Sequence, residues 1–313
     1  MSHPLPTFTL AIEMDNLDKV SLDQFFQMLK RLESQTLSLD TADRVLLMNT
    51  EDISPQQLER LCKAFPWLEV INCGASLVYD AIKVRAAEHC ESEVLVYADC
   101  DCIYEPQWLE EILRPFADPE VLVVVGECST EITGPFTLAL SMTRVFPRFS
   151  NETELGTARS YLFNNVAFRR EALARVPFIT DLPSERALCF IHAVEMRRQG
   201  ITLVRNPRAR SLHPNVKTVG QFFYGHFKRG LDTVCTASHF ADPSGASYRS
   251  DSRWGKLVDR ARQAMDEDPS RKWMMPLALP IVGFTLAIYA AGYAWGKLFI
   301  APQVARSSGT SPQ

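Results

Sequence analysis

Several features that would assign a function quickly are missing from this chain of 313 residues. It has no basic excess: 33 Lys and Arg stand against 37 Asp and Glu, a formal net charge of −4. The electrostatic footprint of a nucleic-acid binder is absent, and no nucleic-acid partner is expected. The opening MSHPLPTFTL has neither a cationic leader nor a long apolar run, so no cleaved secretory signal is expected. Cysteine is scattered, at Cys62, Cys73, Cys90, Cys100, Cys102, Cys128, Cys189 and Cys235, mostly inside apolar runs. The string Asp99-Cys100-Asp101-Cys102 has no second Cys or His pair at zinc spacing, so structural zinc is set aside. Reduced core thiols in a cytosolic domain are the remaining reading. No internal repeat and no low-complexity block is present.

What is there is an alternation. Strand-like runs at Phe8–Met14, Arg44–Asn49, Leu68–Cys73, Val94–Ala98 and Val121–Gly126 alternate with helix-like segments. The helices are expected at Leu22–Gln35, after Ser54-Pro55, at Leu77–His89 and at Pro106–Phe116. The apolar runs are continuous, as in strands buried on both faces, and the order predicts an α/β layer fold with a mainly parallel sheet. Beyond residue 130 the pattern weakens to helices at Phe136–Phe146, Arg186–Gln199 and Val219–Ser238, with strands at Tyr161–Phe168 and Ile201–Arg205.

One segment departs from a soluble pattern. Residues 273–296, WMMPLALPIVGFTLAIYAAGYAWG, contain no charge, and Lys272 and Lys297 bracket them. About 20 apolar residues cross a bilayer core, and Trp273, Tyr293 and Trp295 stand where aromatic belts form. Pro276 and Pro280 count against one regular helix and leave room for a re-entrant segment; a buried helical hairpin is the soluble alternative. More basic residues precede the span than follow it, which places the rest of the chain on the cytosolic face of a cell membrane. The expected organisation is a domain at 1–240, a linker and amphipathic helix at 241–272, the membrane segment at 273–296 and a tail at 297–313.

The stretch LVYADCDCIYEPQWL ends an apolar run in Asp99 and Asp101. Ligands of open α/β sheets bind outside the carboxyl ends of the strands. In an extended segment residues i and i+2 face the same side, so both carboxylates are expected to face one small volume. Two such charges repel unless a cation lies between them. A hard divalent ion suits them, since Mg²⁺ takes one or two carboxylates plus phosphate oxygens. The bland alternative is a solvated Asp-x-Asp turn.

The block VLVYADCDCIYEPQWLEEIL resembles the central motif of family-2 glycosyltransferases, whose fold is GT-A. Other pieces follow in family order: Tyr79-Asp80-Ala81-Ile82-Lys83, then Asn164-Asn165-Val166-Ala167-Phe168-Arg169-Arg170, then Met196-Arg197-Arg198-Gln199-Gly200 and Asn206-Pro207-Arg208-Ala209-Arg210 with His213. The resemblance covers roughly residues 7–235, and five ordered blocks are far more specific than one. It implies a GT-A-like, Rossmann-like sheet with flanking helices, followed by the C-terminal transmembrane helix. It implies a nucleotide-sugar donor, a Mg²⁺ or Mn²⁺ cofactor, and an acceptor that is a glycan, a lipid-linked glycan or a polysaccharide. By the same resemblance Asp101 holds the ion, Asp99 lies near the ribose or the ion, and His213 is a third metal ligand. Glu13 stands near the base, with Asp52 in the same pocket, where the family's Asp-Asp-Gly-Ser is Asn49-Thr50-Glu51-Asp52. Lys83 meets the base or ribose, Arg229 the diphosphate, and Asn164 and Asn165 the acceptor side.

An inverting transfer needs a carboxylate to take the acceptor proton. The family places Glu-Asp before the helix that ends in Arg-Arg-x-Gly; here those positions are Leu188 and Cys189. Asp181 or Glu185, just upstream, is the expected substitute. Two alternatives follow. A pseudo-glycosyltransferase would bind a nucleotide sugar or scaffold a membrane assembly without turnover. A nucleotidyltransferase would carry a Gly-rich basic loop after the first strand, where this chain reads EMDNLDK.

Overall fold

The computed structural model describes residues 5–15, 21–143, 146–180, 187–216, 218–239 and 253–301. The chain divides into two compact units. The first runs to Cys128 and adds Phe149–Thr180 and Leu188–His213; the second takes Ser129–Arg148 and the chain from Pro214 on.

The first unit opens with β1 (Phe8–Glu13), α1 (Leu22–Glu33), β2 (Arg44–Asn49), α2 (Pro55–Ala64), β3 (Leu68–Asn72), α3 (Tyr79–Glu88) and β4 (Val94–Asp99). Both early helices begin on a capping box. Ser21 Oγ accepts from Gln24 N and Gln24 Oε1 from Ser21 N; Ser54 and Gln57 repeat the exchange, with Pro55 in the first turn. Short elements follow: β5 (Ile103–Tyr104), α4 (Trp108–Leu113), β6 (Val123–Ser129) and, after α5 (Pro135–Thr143) of the second unit, β7 (Gly156–Ala158). The unit closes with β8 (Asn165–Arg169), α6 (Arg170–Arg175), α7 (Leu188–Arg198) and β9 (Leu203–Leu212).

The strands form one sheet in the order β3-β2-β1-β4-β8-β6-β9-β5, with β7 beside β9. Pairing is parallel from β3 to β4, and antiparallel where β8 meets β4 and β6. The parallel half therefore matches the alternation read from the sequence, while the other half reverses direction. Every residue of β1 and β4 is buried, as continuous apolar runs require. The core joins Leu10, Ile12, Phe25, Leu29, Val96 and Trp108 on one face of the sheet. Tyr161–Phe168 proves shorter as a strand, starting at Asn165, and β9 runs on past Arg205 to Leu212.

The second unit contains α5, α8 (Val219–His239), α9 (Arg253–Glu267) and α10 (Met275–Phe299). Pro280 does not interrupt α10, so the apolar segment is one continuous helix rather than a broken one. The expected linker at 241–252 and most of the 297–313 tail lie outside the described residues.

Candidate active site

Parallel β1 and β4 finish side by side, with Glu13 in register with Asp99. Both lie at the carboxyl ends of their strands, and both are buried. Asp99 is held by α3: Lys83 Nζ stands 2.5 Å from Oδ1, and the Tyr79 hydroxyl donates to Oδ2 at 2.9 Å. The same ammonium lies 5.0 Å from the Tyr79 ring centroid and 5.5 Å from that of Tyr97. Lys83 thus engages a carboxylate inside the protein, which the sequence motif alone did not show. Behind it the Asp99 N–H donates to the Tyr104 hydroxyl, which donates in turn to the Asn164 carbonyl.

β4 stops at Asp99, and Cys100 and Asp101 form a turn. The extended alternation behind the expectation of shared facing therefore ends one residue early, and the two aspartates have different neighbours. Asp101 lies 3.5 Å from His213 Nε2 and accepts from Cys102 Sγ at 3.5 Å. His213 follows the last residue of β9, so β4 and β9 meet at this pair. Burial, and then the nearby Asp99 charge, push the Glu13 carboxyl up to about 8, with Asp101 adding to the effect and Lys83 opposing it. Burial and the neighbouring aspartates thus favour the protonated form of Glu13.

Among the described residues no group of three or more His, Cys, Asp or Glu is arranged to hold a metal ion. What the site offers is one carboxylate and one imidazole, Asp101 and His213, beside a second carboxylate already bound to Lys83. That donor set fits an ion whose remaining positions belong to water and phosphate oxygens, as with Mg²⁺ or Mn²⁺. It does not fit a closed, all-protein site. A separate groove of about 590 Å³ is lined by residues including Glu105, Glu110, Arg114, Glu152, Arg208 and Arg210. Charges there pair with one another, Arg114 with Glu110 at 2.8 Å and with Glu111 at 3.1 Å.

Residues 27–176 match the family model described as glycosyl transferase family 2. This stretch, a little under half of the chain, is thus similar to family-2 glycosyltransferases. Solved structures agree on the fold. GalNAc-T7 with UDP, GalNAc and Mn²⁺ superposes with a TM-score of 0.55 at 13% identity, over 85% of this chain and 57% of that one. The mannosyltransferase PcManGT from Pyrobaculum calidifontis, in complex with GDP-Man and Mn²⁺, gives 0.53 at 15% identity, over 97% and 87%. The chain thus spans little more than half the length of GalNAc-T7. At these identities the likeness establishes the GT-A architecture and nothing finer. No curated protein sequence matches the chain.

The remaining candidates separate. Asn165 is enclosed: its Oδ1 accepts from Trp108 Nε1 at 2.8 Å, and its Nδ2 donates to the carbonyls of Glu127 and Ala209 at 2.9 Å. It clips α4, β6 and β9 together. Asn164 donates to Cys128 Sγ at 3.2 Å and Cys102 Sγ at 3.5 Å, next to Asp101. Asp52 is exposed and accepts from the Thr50 hydroxyl. Glu51 before it has φ +65°, a glycine-like conformation at the place where the family motif carries Gly. Arg229 belongs to the second unit, on α8, and donates to the Thr143 carbonyl at the end of α5. Asp181 and Glu185 lie outside the described residues. Leu188 and Cys189, where the family has Glu-Asp, are buried in the first turn of α7, whose Leu188 N–H is capped by Asp80 Oδ2 at 3.1 Å. Sequence reasoning missed Tyr79 and Tyr104. A hydroxyl-bearing aromatic one helical turn before Lys83 was the available signal for Tyr79.

Proposed function

We propose that this protein transfers a sugar from a nucleotide-sugar donor to a hydroxyl of a glycan, lipid-linked glycan or polysaccharide, with inversion and with a divalent ion. The observation that carries the reading is the approach of His213 to Asp101 beside the buried Lys83–Asp99 pair at the strand ends. Asp101 and His213 would hold Mg²⁺ or Mn²⁺, which when bound supplies positive charge to the departing diphosphate. Asp99, fixed by Tyr79 and Lys83, faces the donor as a rigid acceptor for a ribose hydroxyl. Protonated Glu13 offers one donor and one acceptor to the edge of a base. Asp52 lies after the neighbouring strand and completes that pocket from solvent. In the transfer the acceptor oxygen forms its bond to the anomeric carbon as the bond to the diphosphate oxygen breaks. Asp181 or Glu185 takes the hydroxyl proton, Arg229 contacts the diphosphate, and Asn164 and Asn165 shape the acceptor side.

The membrane belongs to the same reading. Residues 273–296 hold the protein on a cell membrane, with the family-2 domain on the cytosolic side where nucleotide sugars are made. The buried Leu188 and Cys189 favour one other reading, a binding protein that keeps the donor site without turnover. The test is release of nucleoside diphosphate from a panel of nucleotide sugars by the full chain in membranes, with and without chelator, and with Asp101→Ala as blank. Chelator-sensitive release lost in Asp101→Ala is expected. Donor binding without release from any donor would transfer the case to the binding protein; neither binding nor release would end both.

A further inference from the structure

α10 has two unequal faces. Its buried positions, Ala278, Val282, Thr285, Ile288, Gly292 and Gly296, recur every three or four residues and form one narrow seam. Over the first half, Ala278 and Val282 cluster with Leu138 and Met142 of α5 and Ala264 of α9. Over the second half the seam meets α8 at backbone contact. A Cβ on Gly230 would lie 2.5 Å from Tyr293 N, one on Gly292 would collide with the Phe227 backbone, and one on Gly296 would lie 3.0 Å from Val234 Cγ2. The Phe223 and Phe284 rings touch edge to face at 5.4 Å. Phe223 beside 284, Phe227 beside 292 and Val234 beside 296 advance together, so α8 and α10 run parallel. The wide face is different: Leu277, Leu279, Phe284, Trp295, Leu298 and Phe299 are all about half exposed or more.

This arrangement bears on how the apolar segment meets a lipid bilayer. A helix that crosses takes its tightly packed neighbours to the same depth. α8 carries Lys228, Arg229 and Asp232 along the stretch fused to residues 284–296, and α9 carries Asp259, Arg260, Arg262 and Asp266. Crossing would draw such charges toward the hydrocarbon, where each is costly. Lying in the plane of the membrane does not. The seam then faces protein, and the wide apolar face enters the boundary between headgroups and acyl chains. Exposed Lys272 and Lys297 mark the two ends of the helix and suit anionic headgroups, with Trp273 and Trp295 at interfacial depth.

Resting on the membrane reading above, we propose that α10 is an in-plane, monotopic anchor on an anionic bilayer surface and does not span it. The two ends of the chain then lie on the same side of the membrane.

The test uses the full chain with a protease-removable tag at each end, in sealed inverted vesicles from expressing cells. Both tags should share one fate. One tag cleaved and the other protected until detergent is added would overturn the proposal while leaving the membrane reading intact. A chain that does not sediment with the vesicles would overturn both. In parallel, the chain bearing Leu277→Asp, Leu279→Asp and Leu298→Asp is mixed with preformed phosphatidylcholine–phosphatidylglycerol vesicles. Vesicle binding should fall by at least about tenfold with unchanged thermal melting, because the changes lie on the exposed face. Undiminished binding, or a lipid-free dimer of the parent that leaves vesicles unbound, would contradict an anchor on this face.

Discussion

Replacing Lys83 with Met leaves Asp99 buried without its cation, and the structure permits the consequence to be sized. The Nζ to Oδ1 separation is 2.5 Å, and the side chains are 1% and 4% exposed. At an effective dielectric of about 20 the attraction is about 7 kcal/mol. Desolvation costs each ion several kcal/mol, so the intact pair is close to neutral for stability, and the loss of one partner is where the cost appears. Lys83→Met is expected to destabilise the protein by about 3–5 kcal/mol. Asp99→Asn should cost a similar amount, because it leaves the buried Lys83 ammonium without its carboxylate, although the Tyr79 hydroxyl, at 2.9 Å, can still donate to the amide oxygen. The double variant Lys83→Met, Asp99→Asn should recover much of the loss, since no unpaired charge remains. Urea unfolding of the four proteins in detergent closes the cycle. A single-variant cost below about 1 kcal/mol, or a double variant that merely sums the two singles, would refute the reasoning.

Three further outcomes are expected. A Cβ on Gly126 would lie 2.5 Å from Asn165 Cγ and overlap the Ala209 carbonyl, so Gly126→Ala should lower stability by about 1–3 kcal/mol in thermal melts; an unchanged melt would show that the Asn165 clip is not rigid. Glu51→Gly, at φ +65°, should raise stability by up to about 1 kcal/mol by removing the left-handed penalty, and a loss would mean that the glutamate side chain is needed where it stands. His192 is buried between the Tyr161 hydroxyl and the Val176 carbonyl, and burial lowers it to about 4. Because the unfolded chain binds the proton more readily, stability is full above about pH 6.5 and declines as pH falls toward 4, by about 3 kcal/mol from this residue; the decline should be absent in His192→Gln, and an equal decline there would exclude the assignment.

Much of this fold was legible because its signals are local. Arg44–Asn49 is a strand at both ends as read, and Ser54-Pro55 starts a helix, since a run buried on both faces and a cap each declare themselves within a few residues. The antiparallel half was not legible, because direction depends on which strand lies alongside, and Asn165–Arg169 reads the same either way. Two-residue and three-residue strands such as Ile103–Tyr104 and Gly156–Ala158 carry no period to detect. At the candidate site, Asp99 and Asp101 were singled out from their place after an apolar run. Their division between Lys83 and His213 was not, because it depends on partners 16 and 112 residues away. The parallel α8–α10 seam did leave a trace, Gly292 and Gly296 spaced as in close helix pairs, but its partner Gly230 lies outside the apolar segment.

The central claim is that Asp101, beside His213, completes a divalent-ion site only together with a nucleoside diphosphate. Electron paramagnetic resonance of free Mn²⁺, titrated with the full chain plus UDP or GDP, tests it most directly. The free-ion signal should fall when protein and at least one of the two diphosphates are both present, beyond what diphosphate alone causes, and Asp101→Ala should abolish the difference. An equal fall with Asp101→Ala, or none with the parent protein for either nucleotide, would contradict the account.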